Sequence, residues 1–503
     1  MSLYSRKAAR LQLNLRKVAV KGGLAIGAAQ AANAALQAAF IVILARLLSP
    51  ADFGLTAMVF PIVFFVTMLQ EGGLTSAVIQ RETISHRELS SLFWINAAIG
   101  LALALLLCAG APLVATFYHE PRVEGLTMAS GGLVLLGALA VQHLALLNRN
   151  MHYGRMAFID VTAAFVGFIV AIAVAAAYHS YWAIWLRGFV TIAMTFVLAW
   201  LLSGWTPGRL APVSQIRDLI GFGGNMTAFS LCNYASRNLD NVLIGKFSGE
   251  VSLGLYDRAY RIVTLPLLLI NAPLNRIITP VLSRTRDQEE RYRNAFLSTL
   301  QMGLLVTVPL MSFIAGNSKG VILLLLGPDW IDAAPICAWL SVATLLQLAG
   351  NPMGWLYISQ GRSRDLMLAG VANSMFICLA FVAGLPWGAL GVAKAYAFCA
   401  FLSTPLLFWW ATRRGPVSLR NLVGAISPFA LVAGCCLVVV HLLQRSRPDT
   451  GLLFLMELLT ASYATMVLTL SVTRTGRSCL AQAWSVAVSG FSMMQMRKRS
   501  SYG

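Results

Sequence analysis

The stretch AAIGLALALLLCAGAPLVATF, residues 97–117, runs without a single charged side chain. A hydrocarbon core about 30 Å thick takes roughly 20 apolar residues of helix to cross. Lipid offers the backbone no hydrogen bonds, so such a run must be a helix rather than an open strand. GFIVAIAVAAAY at 167–178 makes the same demand. With 58% hydrophobic and 11% charged residues, the chain has too little polar surface to bury such runs in a water-soluble fold. The sequence therefore predicts an all-α, polytopic membrane protein.

Apolar segments predict helices near 22–47, 53–78, 90–116, 124–147, 157–178, 181–203, 219–246 and 252–282. Six more follow near 295–326, 333–358, 366–385, 388–411, 422–443 and 451–472, about fourteen in all. The expected organisation is a basic N-terminus (1–21), an N-lobe of six helices (22–210) and a C-lobe of six (211–415). Two further helices (416–472) and a basic tail (473–503) complete it.

A formal net charge of +19 would suit a nucleic-acid partner, but the positions of the cations argue otherwise. With the N-terminus inside, 26 of the 38 Lys and Arg fall in segments on the cytoplasmic side. Only Arg46, Arg122, Lys246, Lys319, Arg445 and Arg447 fall on the outer side. Lys and Arg retained in cytoplasmic loops set membrane topology, so both termini are expected in the cytoplasm and no nucleic acid is called for. The cysteines lie in apolar runs or the tail with no CxxC or Cys/His pattern, so neither disulfide nor metal site is expected. The histidines form no HxxE or HxxxH cluster, and most are expected at interfacial helix ends. The basic lead and membrane-length first helix do not read as a cleavable signal peptide. No nucleophile–base pair is visible, so no catalytic residue and no cofactor is assigned. A membrane polymerase or ligase of glycans would need a catalytic outer loop, and the outer loops are short.

The stretch ILARLLSPADFGL (43–55) returns without a gap as LIGKFSGEVSLGL (243–255), every position displaced by 200. The displacement extends backwards. Gln30, Asn33 and Gln37, on one face of the first helix, correspond to Ser230, Asn233 and Arg237 on the seventh. Two halves of six helices each would enter the membrane in the same direction, a parallel repeat with binding between its lobes.

Six cations belong to neither side: Arg187, Arg237, Arg258, Arg261, Arg276 and Lys394. A cation at a helix centre costs roughly 2.5–3.5 kcal/mol on insertion scales. Snorkelling or interhelical pairing accounts equally for Arg187, Arg258 and Arg276, which lie near helix ends. Arg237 is deep, with Asp240 placed at i+3 to neutralise it; Arg261 and Lys394 are also deep. The sequence leaves two uses open for these cations, a structural ion pair or a grip on an anion. On the second, Arg237, Arg261 and Lys394, backed by Arg258 and Arg276, would hold a phosphate or pyrophosphate, for which the guanidinium fork is suited. Asn33, Gln37, Asn233 and Asn241 would then meet sugar hydroxyls, because amides both donate and accept.

ARLLSPADFGL (45–55), GGLTSAVIQRE (72–82), NLDNVLIGKF (238–247) and LGLYDRAYRI (253–262) resemble the polysaccharide transporters of the MOP superfamily. The likeness is to Wzx-type flippases of the branch containing the colanic-acid exporter, over roughly residues 20–415. The resemblance implies a two-lobed helical bundle moving undecaprenyl-pyrophosphate-linked oligosaccharides across the bacterial inner membrane by alternating access through a cationic cavity. Its implied partners are that lipid-linked oligosaccharide, membrane lipid, and the polymerase and co-polymerase of the same pathway. The motif positions Asp240, Asn241, Gly245, Gly254, Tyr256 and Tyr260 are all present. A multidrug or small-molecule antiporter of the same superfamily remains the alternative; it would lean on embedded carboxylates such as Asp160 or Asp240.

Overall fold

The computed structural model describes residues 26–71, 78, 84–209, 217–447 and 451–485. The side chains of Glu71 and of residues 217–233, 235–236, 268–269, 271–273 and 276–277 lie outside that description. So do the basic N-terminus and the last part of the basic tail. Among the described residues every regular element is helical, as expected.

The first six helices are α1 Ile26–Ala45, α2 Pro50–Glu71, α3 His86–Tyr118, α4 Arg122–Arg149, α5 Tyr153–Tyr178 and α6 Trp182–Ser203. The long segment Arg217–Arg284 is two helices, α7 (217–248) and α8 (250–284), parted at Gly249. Then come α9 Glu289–Gly316, α10 Ser318–Leu325, α11 Ala333–Gly350, α12 Met353–Ser359, α13 Ser363–Gly384 and α14 Gly388–Thr412. The last pair is α15 Leu419–Ser446 and α16 Leu452–Val472.

Local chemistry fixes where these helices start and stop. Ser85 caps α3, accepting from Glu88 N at 3.2 Å, while the Glu88 carboxylate accepts from Ser85 N at 2.7 Å. That reciprocal box satisfies two donors that a helix start otherwise leaves open. At α2 the Asp52 carboxylate accepts from Ser49 N at 2.9 Å and from Ser49 Oγ at 2.6 Å. Pro50, with no N–H to lose, suits a first turn. The joint between α7 and α8 has φ 81° and ψ 178° at Gly249, a conformation essentially reserved for glycine. Gly249 stands 200 positions after Ser49, so α2 and α8 start at equivalent places, although α1 ends at Ala45 and α7 runs on to 248.

Two predicted helices are each interrupted. The segment expected at 295–326 parts at Asn317, whose Oδ1 accepts from Gln444 Nε2 of α15. The segment expected at 333–358 parts before Met353, because Pro352 removes a donor from the helical ladder.

Eleven helical stretches among the described residues are long and apolar enough to cross a membrane. One of them, Ser363–Thr412, holds both α13 and α14. The α7–α8 segment is outside the eleven. A chain of this build is a multi-pass membrane protein.

The chain divides into two compact units, Met1–Asp257 and Arg258–Gly503. In the first, α4 packs between α3, α6 and α2, and α5 packs on α6. Small residues let backbones approach: Gly100 faces Ala138, and Gly131 faces Ala104 and Cys108. Next to this seam His143 is fully buried rather than interfacial. Its Nδ1 lies 2.9 Å from Ser203 Oγ, and its ring is edged by Phe93 and Trp205. The hydroxyl and the aromatic rings give the imidazole polar and apolar partners inside the unit.

In the second unit α9 packs on α11, α15 and α16, and α14 packs on α11 and α13. Arg362 knots one end of it. Its guanidinium donates to Asp365 Oδ2 and to the Ala411 and Arg414 carbonyls, each at 2.9 Å. Ala411 lies in the last turn of α14, where helices leave acceptors unsatisfied, and Arg414 lies just beyond it.

Candidate functional site

The doubled turn positions everything around it. A Cβ on Gly54 would lie 1.7 Å from the Glu250 carbonyl oxygen, and a Cβ on Gly254 would lie 1.9 Å from the Pro50 carbonyl oxygen. Pro50 is four residues before Gly54, and Glu250 is four before Gly254. Each glycine thus receives the first turn of the other helix. The two copies of the repeat cross with local two-fold character, backbone against backbone, in the first unit.

Around this crossing the helix ends are tied by charge. Lys246 of α7 donates to the Phe117 carbonyl and to His119 Nε2 at 2.9 Å, with its ammonium 5.0 Å from the Phe117 ring centre. Arg122 pairs with Glu120 at 2.7 Å and with Glu250 at 3.3 Å. The Arg122 guanidinium holds the Glu120 carboxyl below the usual carboxylate range. His179 of the α5–α6 turn lies 3.1 Å from the Leu47 carbonyl oxygen. Four turns, α1–α2, α3–α4, α5–α6 and α7–α8, therefore meet at one end of this unit. Sequence reading had counted Lys246 and Arg122 only as outer charges; the distance between partners, more than 120 residues, hides their roles.

The predicted site residues divide. On α1, Gln30 and Gln37 are exposed and Asn33 is half-buried, with no partner for Asn33 Oδ1 among the described residues. On α7, Arg237 is exposed and Asn241, one turn on, is half-buried. The Asn233 side chain lies outside the description. Asp240 is buried and accepts from Tyr256 Oη at 2.9 Å and from Asn241 N at 2.8 Å. Of the two uses the sequence left open for Arg237, the ion pair with Asp240 is not formed. No ion pair joins them among the described residues, because the carboxylate is turned into the unit and met there by a hydroxyl of α8.

In the second unit Arg258 is buried, while Arg261 and Lys394 are exposed. The Arg276 side chain lies outside the description. On the helix that carries Lys394, Ala397 and Ala400 are buried, and the Tyr396 hydroxyl accepts from Gln347 Nε2 at 2.6 Å. Among the described residues no group of three or more His, Cys, Asp or Glu is arranged to hold a metal ion.

Chemically, then, the described side chains offer amides and guanidinium or ammonium groups on exposed helix faces. They are donors to an anion and two-way partners for hydroxyls.

The fold has known counterparts. It resembles lipid II flippase MurJ in an inward closed conformation, with a TM-score of 0.71 across 88% of this chain and 97% of that one, at 14% identity. It also resembles an inward-facing multidrug resistance MATE family transporter of the MOP superfamily, with a TM-score of 0.58 across 78% and 96% of the two chains, again at 14% identity. These likenesses define the architecture. Residues 43–335, more than half the chain, match the family described as polysaccharide biosynthesis protein, and the chain belongs to that family. The teichuronic acid biosynthesis protein TuaB of Bacillus subtilis is 28% identical over 302 residues, 59% of this chain and 62% of its own length. The lipopolysaccharide biosynthesis protein WzxC of Escherichia coli is 23% identical over 376 residues, 73% of this chain and 76% of its own. The succinoglycan biosynthesis transport protein ExoT of Rhizobium meliloti is 24% identical over 303 residues, 60% and 61% of the two chains. The match therefore spans about six tenths of TuaB and ExoT and about three quarters of WzxC.

Proposed function

We propose that this chain is a flippase carrying undecaprenyl-pyrophosphate-linked oligosaccharide repeat units across a bacterial inner membrane. The observation that carries the reading is the family match over residues 43–335. Relatives named for teichuronic acid, lipopolysaccharide and succinoglycan biosynthesis support it. Fourteen crossings with both termini in the cytoplasm, and lobes at 22–210 and 211–415, complete the proposed organisation.

In this mechanism the cytoplasm-facing cleft takes the pyrophosphate and sugar while the lipid tail stays in the bilayer. Rocking of the lobes about the doubled turns then presents the head group outside. Arg237, Arg261 and Lys394, backed by Arg258 and Arg276, offset the desolvation of the pyrophosphate without travelling with it. Asn33, Gln37, Asn233 and Asn241 meet hydroxyls. A membrane potential, negative inside, favours outward movement of an uncompensated anion by about 2.3 kcal/mol per charge per 100 mV. The polymerase and co-polymerase of the pathway receive the product.

The antiporter reading rests on the MATE likeness and on embedded carboxylates. It needs one free to take up a cation; Asp240 already accepts from Tyr256 and Asn241, which leaves the exposed Asp160 as its candidate. The experiment is leaflet accessibility of lipid-linked oligosaccharide in cells lacking the protein. The cytoplasm-facing intermediate accumulates, and wild type relieves it where Arg237→Ala and Lys394→Ala do not. Normal translocation without the protein sinks the flippase and returns the antiporter.

A further inference from the structure

We propose that the end of the second unit where the α12–α13 turn meets the α14–α15 loop is a binding site for an anionic phospholipid. The inference goes beyond the transport reading and does not depend on what the chain carries.

The site begins with an imbalance of charge. The Asp365 carboxylate lies 2.9 Å from Arg362, 3.4 Å from Arg413 and 3.9 Å from Arg414. One anion therefore faces three guanidinium groups. Arg362 is spent within the protein, since it also donates to Gln360 Oε1 at 3.1 Å and to the Ala411 and Arg414 carbonyls. Arg413 gives Asp365 one of the five hydrogen bonds that a guanidinium can make. Its plane rests 3.8 Å from the centre of the Trp410 ring. Arg414 leaves 70% of its side chain exposed. Arg364 in the first turn of α13 and Arg420 in the first turn of α15 are exposed too. Glu289 and Glu290, which start α9, form no ion pair with these arginines among the described residues.

The backbone that carries the arginines is held in place. Arg362 grips the Arg414 carbonyl, and Gly415 (φ 110°) turns the chain against the Gln360 side chain, which a Cβ would meet at 2.7 Å. Ser418 then caps α15, accepting from Asn421 N at 3.2 Å. Donors already fixed lose less freedom when they take a ligand.

Apolar surface runs to the same place. Of the eleven apolar stretches, the one made of α13 and α14 is the least buried, and its two helices pack on each other. On α14, Phe398, Leu402, Leu406 and Trp409 are exposed. Steps of four, four and three keep them on one helix face, and the next step of four is Arg413. On α13, Leu368, Val371 and Met375 are exposed, and four residues before Leu368 stands Arg364. At 1.5 Å per residue the stripe from 398 to 409 is about 17 Å long. One leaflet, half of a hydrocarbon core of about 30 Å, has nearly that depth. Acyl chains laid along such a stripe bring a headgroup phosphate level with the guanidinium groups, which take phosphate by paired, charge-assisted hydrogen bonds. Surplus positive charge selects an anionic headgroup over a zwitterionic one.

The test is native mass spectrometry of the delipidated full chain in detergent, titrated with phosphatidylglycerol or with phosphatidylcholine of the same acyl chains. Wild type is expected to hold phosphatidylglycerol at least about tenfold more tightly. Each arginine facing an anionic lipid is worth about fivefold, so Arg364→Gln combined with Arg414→Gln should weaken phosphatidylglycerol about twenty-five-fold and leave phosphatidylcholine unchanged. Arg413 is left in place because it also holds Asp365. Arg474→Gln combined with Arg477→Gln removes the same charge from exposed positions beyond α16 and should leave phosphatidylglycerol binding close to wild type. Equal affinity of the wild type for the two lipids overturns the proposal. So does an equal loss in the two double variants, which would spread the binding over the whole basic surface. Displacement of the lipid by millimolar glycerol phosphate, which has the anion without the chains, would reduce the cluster to a site for free phosphate and overturns it as well.

Discussion

Replacing Gly254 by alanine tests the crossing at the centre of the fold. The new Cβ would sit 1.9 Å from the Pro50 carbonyl oxygen, 2.8 Å from its carbon and 3.1 Å from Gly54 N. Ordinary contact begins near 3.4 Å, so α2 and α8 must separate by more than an ångström at this point. All three obstructing atoms are backbone, so no rotamer change relieves the clash. Overpacking typically costs about 1–3 kcal/mol, and a backbone–backbone site belongs at the upper end. Gly54→Ala meets Glu250 at 1.7 Å and should cost a similar amount. One separation of the helices accommodates both methyl groups, so the double variant should lose less than the sum of the singles. Contacting sites commonly couple by about 0.5–3 kcal/mol. Gly110→Ala is the control, because nothing stands within 4 Å of its added carbon; it should be neutral or slightly stabilising through helix propensity. The assay is unfolding in detergent micelles for the four variants. Gly254→Ala as stable as Gly110→Ala would refute the crossing, and strict additivity of the two glycine changes would refute its reciprocity.

Three further changes probe single side chains. Tyr256→Phe strips the hydroxyl from the buried Asp240 carboxylate; leaving a buried acceptor short of a donor costs about 1–3 kcal/mol, measured as a lowered unfolding midpoint. Asp240→Asn in the Tyr256→Phe background should then cost less than Asp240→Asn alone, because the partner is already gone. Asp365→Asn loosens Arg362 and Arg413, which lie 2.9 and 3.4 Å from the carboxylate. A lowered unfolding midpoint is expected, with insertion unaffected.

The helices and the repeat were legible because both leave local marks. Apolar runs such as 97–117 are set by bilayer thickness, and the doubled turn keeps its spacing however far its residues drift. What the sequence concealed was pairing at long range. Asp240 could have neutralised Arg237 because i+3 neighbours share a helix face, and the sequence could not show that a hydroxyl sixteen residues away satisfies it. Lys246 and Arg122 read as generic outer charges because nothing local announces a carbonyl or carboxylate more than 120 residues distant. No sign in the sequence sets His143 apart from the interfacial majority of the histidines, because its cage of aromatic rings comes from α3 and from α6 with the segment after it. Interruptions at Asn317 and Pro352 were missed although the sequence marks both, with GNSKG at 316–320 and GNP at 350–352.

The reciprocity at Gly54 and Gly254 makes one asymmetry informative. If the crossing is the local two-fold of a duplication, residues 37 and 237 occupy equivalent places on α1 and α7, and both are exposed. One is Gln37 and the other Arg237, so the duplication has kept the geometry and given charge to one copy. Were Arg237 a structural element, its replacement should be felt in stability and a cation at 37 would not help. If it supplies positive charge to an anionic substrate, the charge can be moved across the symmetry. Arg237→Gln should then abolish export with normal insertion, and Gln37→Arg in the same chain should restore measurable export by placing the guanidinium at the equivalent position. Restoration would show that the repeat relates functional positions as well as turns. A doubly substituted protein that folds and inserts normally but exports nothing would confine the role of the cation to α7 and break the functional equivalence of the two copies.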